Sequence, residues 1–341
     1  MNFNFLKFQI LVVLFIPMLM SSCSPEESST DDIIDIIPSS EAGETEEETE
    51  EETEEETEEE TEEETEEETE EETEEETEEE TQEENIVWEN WYLSVPIDRA
   101  DGTGKATSIQ PSDLENENLT TSEKVYFDYN DDGSFKMFTK FTGFTTSGQY
   151  ATGEKKYCRT ELREYWQGNQ STNDNWYFDS YEHEMLSTLS VEYCEGEGLV
   201  YVGQIHGKSG TGSDGAQWDA SPATIKIFWE DDEIGVEYYT TDGIVDGEWT
   251  SGSGVQKPII GEVGNNEFTI GVKISNGKFY FSLECEATGV DTGYVEYYDY
   301  KSNGYAYQNY FKTGNYFRHD DDYTSECEVT LYSVSTNHTT P

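Results

Sequence analysis

Short runs in which apolar and polar residues alternate recur through the last three quarters of the chain. KVYFDY (124–129), SFKMFTKF (134–141), YCRTELREYW (157–166), LVYVGQIHG (199–207), ATIKIFW (223–229), GVEYYT (235–240), NEFTIGVKI (266–274), KFYFSLE (278–284) and YFKTGNY (310–316) are aromatic or β-branched and divided by turn residues. A period of two belongs to strands with one buried face. Asp132-Gly133 and Asn276-Gly277 have the chemistry of tight hairpin turns. No stretch after Asn85 sustains a helical period, and neither a repeat nor a second linker interrupts it. The expected architecture of residues 85–341 is all-β, one jelly-roll sandwich of two antiparallel sheets.

The chain ahead of Asn85 is different material. Residues 1–22 hold one cation, Lys7, and an apolar run, FQILVVLFIPMLM, that is short, broken by Pro17 and followed by small residues. This is the pattern of a signal peptide rather than a membrane span. The ending MSSC resembles a bacterial lipoprotein cleavage site with Met20 in place of the usual leucine, so Cys23 is the expected acylated residue. SPEESSTDD after it resembles the surface-export signals of some Gram-negative lipoproteins. The expectation is a protein held to the outer membrane by its lipid alone, on the cell surface.

From Thr45 to Thr81 the chain repeats TEEE. Threonine and glutamate build no core, and like charges at helical spacing repel, so residues 23–84 are expected to be a disordered, extended linker. Residues 41–84 alone would reach up to about 145 Å at roughly 3.3 Å per residue.

The formal net charge of the whole chain is −60, and residues 85–341 still hold 42 acidic against 17 basic residues. Nucleic acid is excluded as an expected partner, and a polyanionic substrate would need a local basic patch. Cys158, Cys194, Cys285 and Cys327 form an even set in a chain that reads as exported, which favours disulfides. Four cysteines allow three pairings, and none is chosen by the sequence. Structural zinc is the weaker alternative, because no two cysteines lie at C-x₂₋₄-C spacing. A monomer is expected.

Strand alternation assigns the candidate chemistry. In YCRTELREYW it places Tyr157, Arg159, Glu161 and Arg163 on an exposed polar face, and Cys158, Thr160 and Leu162 toward the core. Gln204 and His206 share a face in GQIHG while Ile205 turns inward. Tyr310 and Lys312 face out in YFKTGNY, with Tyr316 near them and Phe311 inward. Each row alone reads as an ordinary strand face with cross-strand pairs. Glu161 and Glu164 point to opposite faces and cannot be the paired carboxylates of a glycoside hydrolase. A carbohydrate-binding module is the stronger rival, since Trp166, Trp176, Trp218 and Trp249 could stack on sugars. HDDDY at 319–323 reads as a polar loop before it reads as a calcium site.

Taken together, RTELR, QIH and YFKTGNY resemble the three signature regions of the alginate lyases of polysaccharide lyase family 7, in the same order. The resemblance covers most of residues 85–341. It implies a jelly roll whose concave sheet binds alginate and a β-elimination at its uronates. Arg159 and Gln204 would offset the uronate carboxylate as the C5 carbanion forms. Tyr316 would be the acid, or both base and acid when proton and leaving group share a face of the ring. His206 would be the base for guluronate, and the isoleucine of QIH is associated in the family with guluronate-containing chains. Glu161 would brace arginine, with Arg163, Lys312 and Tyr310 beside the substrate. No cofactor or metal is implied, because side chains supply the offsetting charge. Thr313 stands where alanine is usual, and Arg318 where a glutamine is common. A lyase of another polyuronate, such as glucuronan, is the enzymatic alternative.

Overall fold

The computed structural model describes residues 86–151, 156–196, 198–218, 221–240, 244–245, 248–249, 254–319 and 323–339. The expected signal peptide, Cys23 and the TEEE linker lie outside these residues, as do Asp320, Asp321 and Asp322 of the HDDDY run.

The principal strands are β1 (Trp91–Asp98), β2 (Ala106–Ile109), β3 (Phe127–Tyr129), β4 (Phe135–Lys140), β5 (Arg159–Glu164), β6 (Glu182–Cys194), β7 (Leu199–Lys208), β8 (Ala223–Glu230), β9 (Glu233–Tyr239), β10 (Phe268–Ser275), β11 (Lys278–Cys285), β12 (Gln308–Phe317) and β13 (Glu326–His338). One sheet, the front, runs β9-β8-β7-β12-β5-β1-β2, and the other, the back, runs β11-β10-β6-β13-β4-β3. Every pairing among them is antiparallel. This is the jelly-roll sandwich expected from the alternation.

The turns form as their residues require. Asn276 (φ 52°) and Gly277 (φ 73°) both occupy the left-handed region between β10 and β11, the backbone of the favoured two-residue hairpin. Between the sheets lies one core, with Leu93, Leu162, Val202, Ile205 and Phe311 from the front against Met137, Leu189, Val272, Phe281 and Val329 from the back. Polar inward side chains tie the layers together. Thr160 Oγ1 donates to Phe138 O (2.6 Å), and Asn315 Nδ2 donates to both Met137 O (2.9 Å) and Cys327 O (2.8 Å). Thr313 fits the alanine position because its hydroxyl donates to Val202 O (2.9 Å) and meets Ser187 Oγ at 2.8 Å.

Strict alternation fails at one place that matters. Val200 and Val202 face inward and so does Ile205, an odd step that requires a bulge. The register of β7 slips between Tyr201 and Gly203 against both β8 and β12. A Cβ on Gly203 would lie 2.8 Å from Ile270 Cδ1, so a side chain there would have to displace that methyl of the back sheet. The bulge sends Tyr201 to the same face as Gln204 and His206. On β12, Gly314 has φ 126°, and a Cβ there would meet Met137 Cε at 2.5 Å, so glycine satisfies both backbone and packing.

A second buried network sits on the inner side of β5. Glu164, fully buried, accepts from Trp176 Nε1 (3.0 Å), Phe311 N (2.9 Å) and His338 Nε2 (2.5 Å). His338 Nδ1 meets His183 Nδ1 at 2.8 Å, and His183 Nε2 meets Ser180 O at 2.6 Å. A carbonyl only accepts, so the Ser180 contact places a proton on His183 Nε2. A neutral His183 then turns its Nδ1 lone pair toward His338 Nδ1.

Burial first, and His338 second, lower His183 to about 4. The folded protein therefore binds fewer protons here than the unfolded chain, whose histidine titrates near 6.5. Stability should fall as pH drops from about 6.5 to about 4, by on the order of 2–3 kcal/mol from this histidine. Urea unfolding across that range measures it, with His183→Asn expected to flatten the slope. A pH-independent midpoint between 4 and 6.5 would contradict the arrangement.

Candidate active site

The three motif strands are neighbours, in the order β7-β12-β5, and their registers set the site. Gln204 lies opposite Lys312, and Lys312 opposite Arg163. His206 lies opposite Tyr310. Tyr316 is flanked by Tyr201 on one side and Arg159 on the other. Arg159, Glu161, Arg163, Gln204, His206, Tyr310, Lys312 and Tyr316 thus share one patch on the face of the front sheet turned from the core.

Glu161 is the hub of this patch, with 1% of its side chain exposed. It accepts a hydrogen bond from Arg159 Nη1 at 3.1 Å and close contacts from Gln204 Nε2 and Lys312 Nζ. Burial first, then the Arg159 guanidinium, pulls Lys312 down to about 7. The expectation that Glu161 and Lys312 face solvent is corrected: both lie beneath the floor, because the neighbouring strands and the residues above them cover it.

Arg163 is corrected too. It is buried and makes no bond to Glu161; its guanidinium donates to Glu164 O (2.5 Å), Asn175 Oδ1 (2.6 Å) and Thr172 O (3.3 Å). It holds the 171–175 loop and lies 4.1 Å from the Tyr310 ring centroid. Tyr310 in turn stacks on His206, with centroids 5.2 Å apart and planes at 14°.

His206 Nδ1 lies 2.9 Å from Gly207 O, which can only accept, so that nitrogen carries the proton and Nε2 keeps a lone pair. Burial, followed by Lys312, lowers its pKa to about 3, so the imidazole is neutral at ordinary pH. The Arg159 guanidinium carbon lies 3.6 Å from the centroid of the Tyr316 ring. Arg159 Nε and Gln204 Oε1 are buried without a hydrogen-bond partner in the protein. Buried polar atoms of this kind are costly unless something fills the site.

Tyr201, absent from the sequence reading, closes the other flank of Tyr316 with ring centroids 5.5 Å apart. Next to it Lys226 Nζ reaches Glu237 Oε1 at 2.5 Å and lies 5.1 Å from the Tyr201 ring. A glycine inside a strand pattern is the one signal that could have predicted the shift of Tyr201. Trp176, offered above as a sugar platform, is fully buried in the core. The side chains of Trp218 and Trp249 lie outside the described residues.

A fold of this topology carrying cations, a neutral imidazole and phenols on one sheet face defines a polysaccharide lyase. The alginate lyase family matches residues 85–338, and the chain belongs to that family. Among solved structures, the alginate lyase A1-II' of polysaccharide lyase family 7 is 20% identical with a TM-score of 0.56, over 76% of this chain and 98% of that one. The alginate lyase of Klebsiella pneumoniae is 19% identical at a TM-score of 0.55, over 75% and 97%. One from Pseudomonas aeruginosa is 18% identical at 0.54, over 74% and 100%. No curated protein matches the chain.

Replacing Glu161 by Gln leaves Lys312 and Arg159 without their buried counter-charge. Loss of one partner from such a set costs about 3–5 kcal/mol. Glu161→Gln should lower the urea midpoint accordingly, and adding Lys312→Met should recover part of the loss. A shift under about 1 kcal/mol would show that Glu161 is not the hub.

Proposed function

We propose that the protein cleaves the 1,4-glycosidic bonds of alginate by β-elimination, with guluronate-containing chains among its substrates. The observation that carries this reading is a neutral His206 on the same sheet face as Arg159 and Tyr316, where Arg159 Nε and Gln204 Oε1 are buried and lack protein partners. A uronate carboxylate laid against Arg159 and Gln204 would have its charge offset as the neighbouring C5–H bond breaks. Gln204 uses one N–H for Glu161 and has a second for the substrate.

His206 Nε2 takes the C5 proton of a guluronate. The electron pair forms the C4=C5 double bond, and the C4–O bond breaks. Tyr316 delivers its phenolic proton to the departing oxygen. On a mannuronate, whose proton and leaving group share a face, Tyr316 serves as both base and acid. Lys312 and Glu161 act beneath the substrate by holding Arg159 and Gln204 in place, and Arg163 by holding Tyr310 under His206. Structures of A1-II' variants in complex with a GGMG substrate and a GGG product support an acidic oligosaccharide as ligand of this fold.

With alginate, the protein should generate rising ultraviolet absorbance from the new double bond conjugated to the carboxylate. Tyr316→Phe should lose roughly 10²–10⁴-fold in turnover, the range of general acid–base groups, while alginate retardation in affinity gels stays near wild type. His206→Ala should hurt polyguluronate cleavage more than polymannuronate cleavage. Saturated products would refute the elimination, and a preference for glucuronan would move the substrate to another polyuronate. Near-full turnover of Tyr316→Phe would leave a binding surface or move the acid to Tyr310.

We further propose that Cys23 is acylated and that the acidic segment carries the lyase domain away from the outer membrane. What supports this is the apolar run ending in MSSC and the TEEE composition. Cys23→Ala should move the protein from the membrane fraction to the soluble one. Unchanged fractionation would place any anchor elsewhere.

A further inference from the structure

We infer that Cys194 and Cys327 are a disulfide site, and that Cys158 and Cys285 are not part of any bridge. All four are thiols in the structure. Cys194 closes β6 and Cys327 lies at the start of β13, directly opposite each other in the antiparallel register. The neighbouring pair is joined by a ladder bond, Glu195 N to Glu326 O at 2.9 Å, while Glu326 N donates to Glu195 Oε2 (3.1 Å). Hydrogen-bonded and non-hydrogen-bonded pairs alternate along an antiparallel ladder, so the cysteines occupy a non-hydrogen-bonded position. Such pairs have Cα atoms about 4.5 Å apart, at the short end of the roughly 4.4–6.8 Å that a disulfide spans. Burial first, and the neighbouring Cys194 second, raise the Cys327 thiol well above its ordinary value.

The other cysteines are separated by the sheet itself. Cys158 Sγ accepts from Thr142 N (3.3 Å) and lies 3.4 Å from Phe144 O, just past the end of β4. Cys285 ends β11, opposite Val290. Between β4 and β11 stand β13, β6 and β10, four strand spacings that amount to about 19 Å. That separation keeps Cys158 and Cys285 from bridging each other, and of the possible partners the register sets only Cys194 and Cys327 directly opposite one another.

Closure needs an external disulfide, R–S–S–R, as oxidant. Cys194 is partly exposed and Cys327 fully buried, so the Cys194 thiolate attacks first and expels one R–S⁻. Cys327, deprotonated, then attacks Cys194 Sγ in the mixed disulfide and expels the second. Two cysteine thiols lose two electrons and two protons, and R–S–S–R leaves as two R–SH. The bridge closes a covalent loop of more than a hundred residues. It also fixes the strand whose Cys327 carbonyl holds Asn315, the residue before Tyr316.

The test uses the full chain incubated with oxidised and reduced glutathione, alkylated under denaturing conditions and digested without reductant. Mass spectrometry should find the Cys194 and Cys327 peptides joined, with Cys158 and Cys285 alkylated. Reductant should lower the Tm of the oxidised protein by about 10 °C, as expected for a bridge closing so long a loop. The Cys194→Ser and Cys327→Ser variants should have a Tm indifferent to reductant, while Cys158→Ser keeps the response. An alkylated Cys327 in the oxidised, folded protein, or a bridge from either cysteine to Cys158, Cys285 or Cys23, overturns the inference. The peptide assignment is made on the wild-type chain and so does not depend on the folding of any variant.

Discussion

The buried carboxylate of Glu161 is the interaction on which the site depends. Arg159, Lys312 and Gln204 come from three strands, and each donates to that one group. Without it, two cations would share a dry sheet face, where Coulomb repulsion is far stronger than in water. With it, the donors are held in a fixed spacing before any ligand arrives. Preorganisation of this kind makes an electrostatic site effective, because the dipoles need not reorient as charge develops.

The inward residues of the same strands do the complementary work. Thr160, Thr313 and Asn315 alternate with the groove residues and bond to the back sheet, so each site strand is fixed on both faces. Glu164 extends this under β12 by accepting from the Phe311 amide, between Tyr310 and Lys312. Thr313 is therefore more than a tolerated substitute for alanine. Its hydroxyl supplies one of the links between the sheets. Polar groups this deep persist only when their hydrogen bonds are met, and these are met chiefly by backbone carbonyls of the neighbouring strands.

An acidic domain reconciles its charge with a uronate ligand by segregation. Arg159, Arg163 and Lys312 concentrate beneath one face, with Glu161 as the carboxylate shared by Arg159 and Lys312 and His206 kept neutral among them. Burial first, and the same cations that would attract a polyanion second, hold the imidazole unprotonated, so the attraction and the free Nε2 lone pair share part of their origin. Lys226 and Glu237 continue the polar floor beyond Tyr201 as a compensated pair.

Local sequence was enough for the fold class, the two hairpin turns, the inward and outward sides of β5 and β12, and the three motifs that carry the chemistry. All of these follow from a period of two and from turn residues, which act over a few positions. Sequence reading missed β1, β2, β6 and β13; the inner face of β6 includes the polar Ser187, and β13 slips in register against β6 after Leu331. It also placed Lys312, Glu161 and Arg163 in solvent and left Tyr201 out of the site. Which strand lies beside which, where a bulge shifts the register, and what covers a polar face are decided by partners far away in the chain. The Cys194 and Cys327 juxtaposition belongs to this second kind: alternation gives each cysteine a face, but only the pairing of β6 with β13 brings those two together.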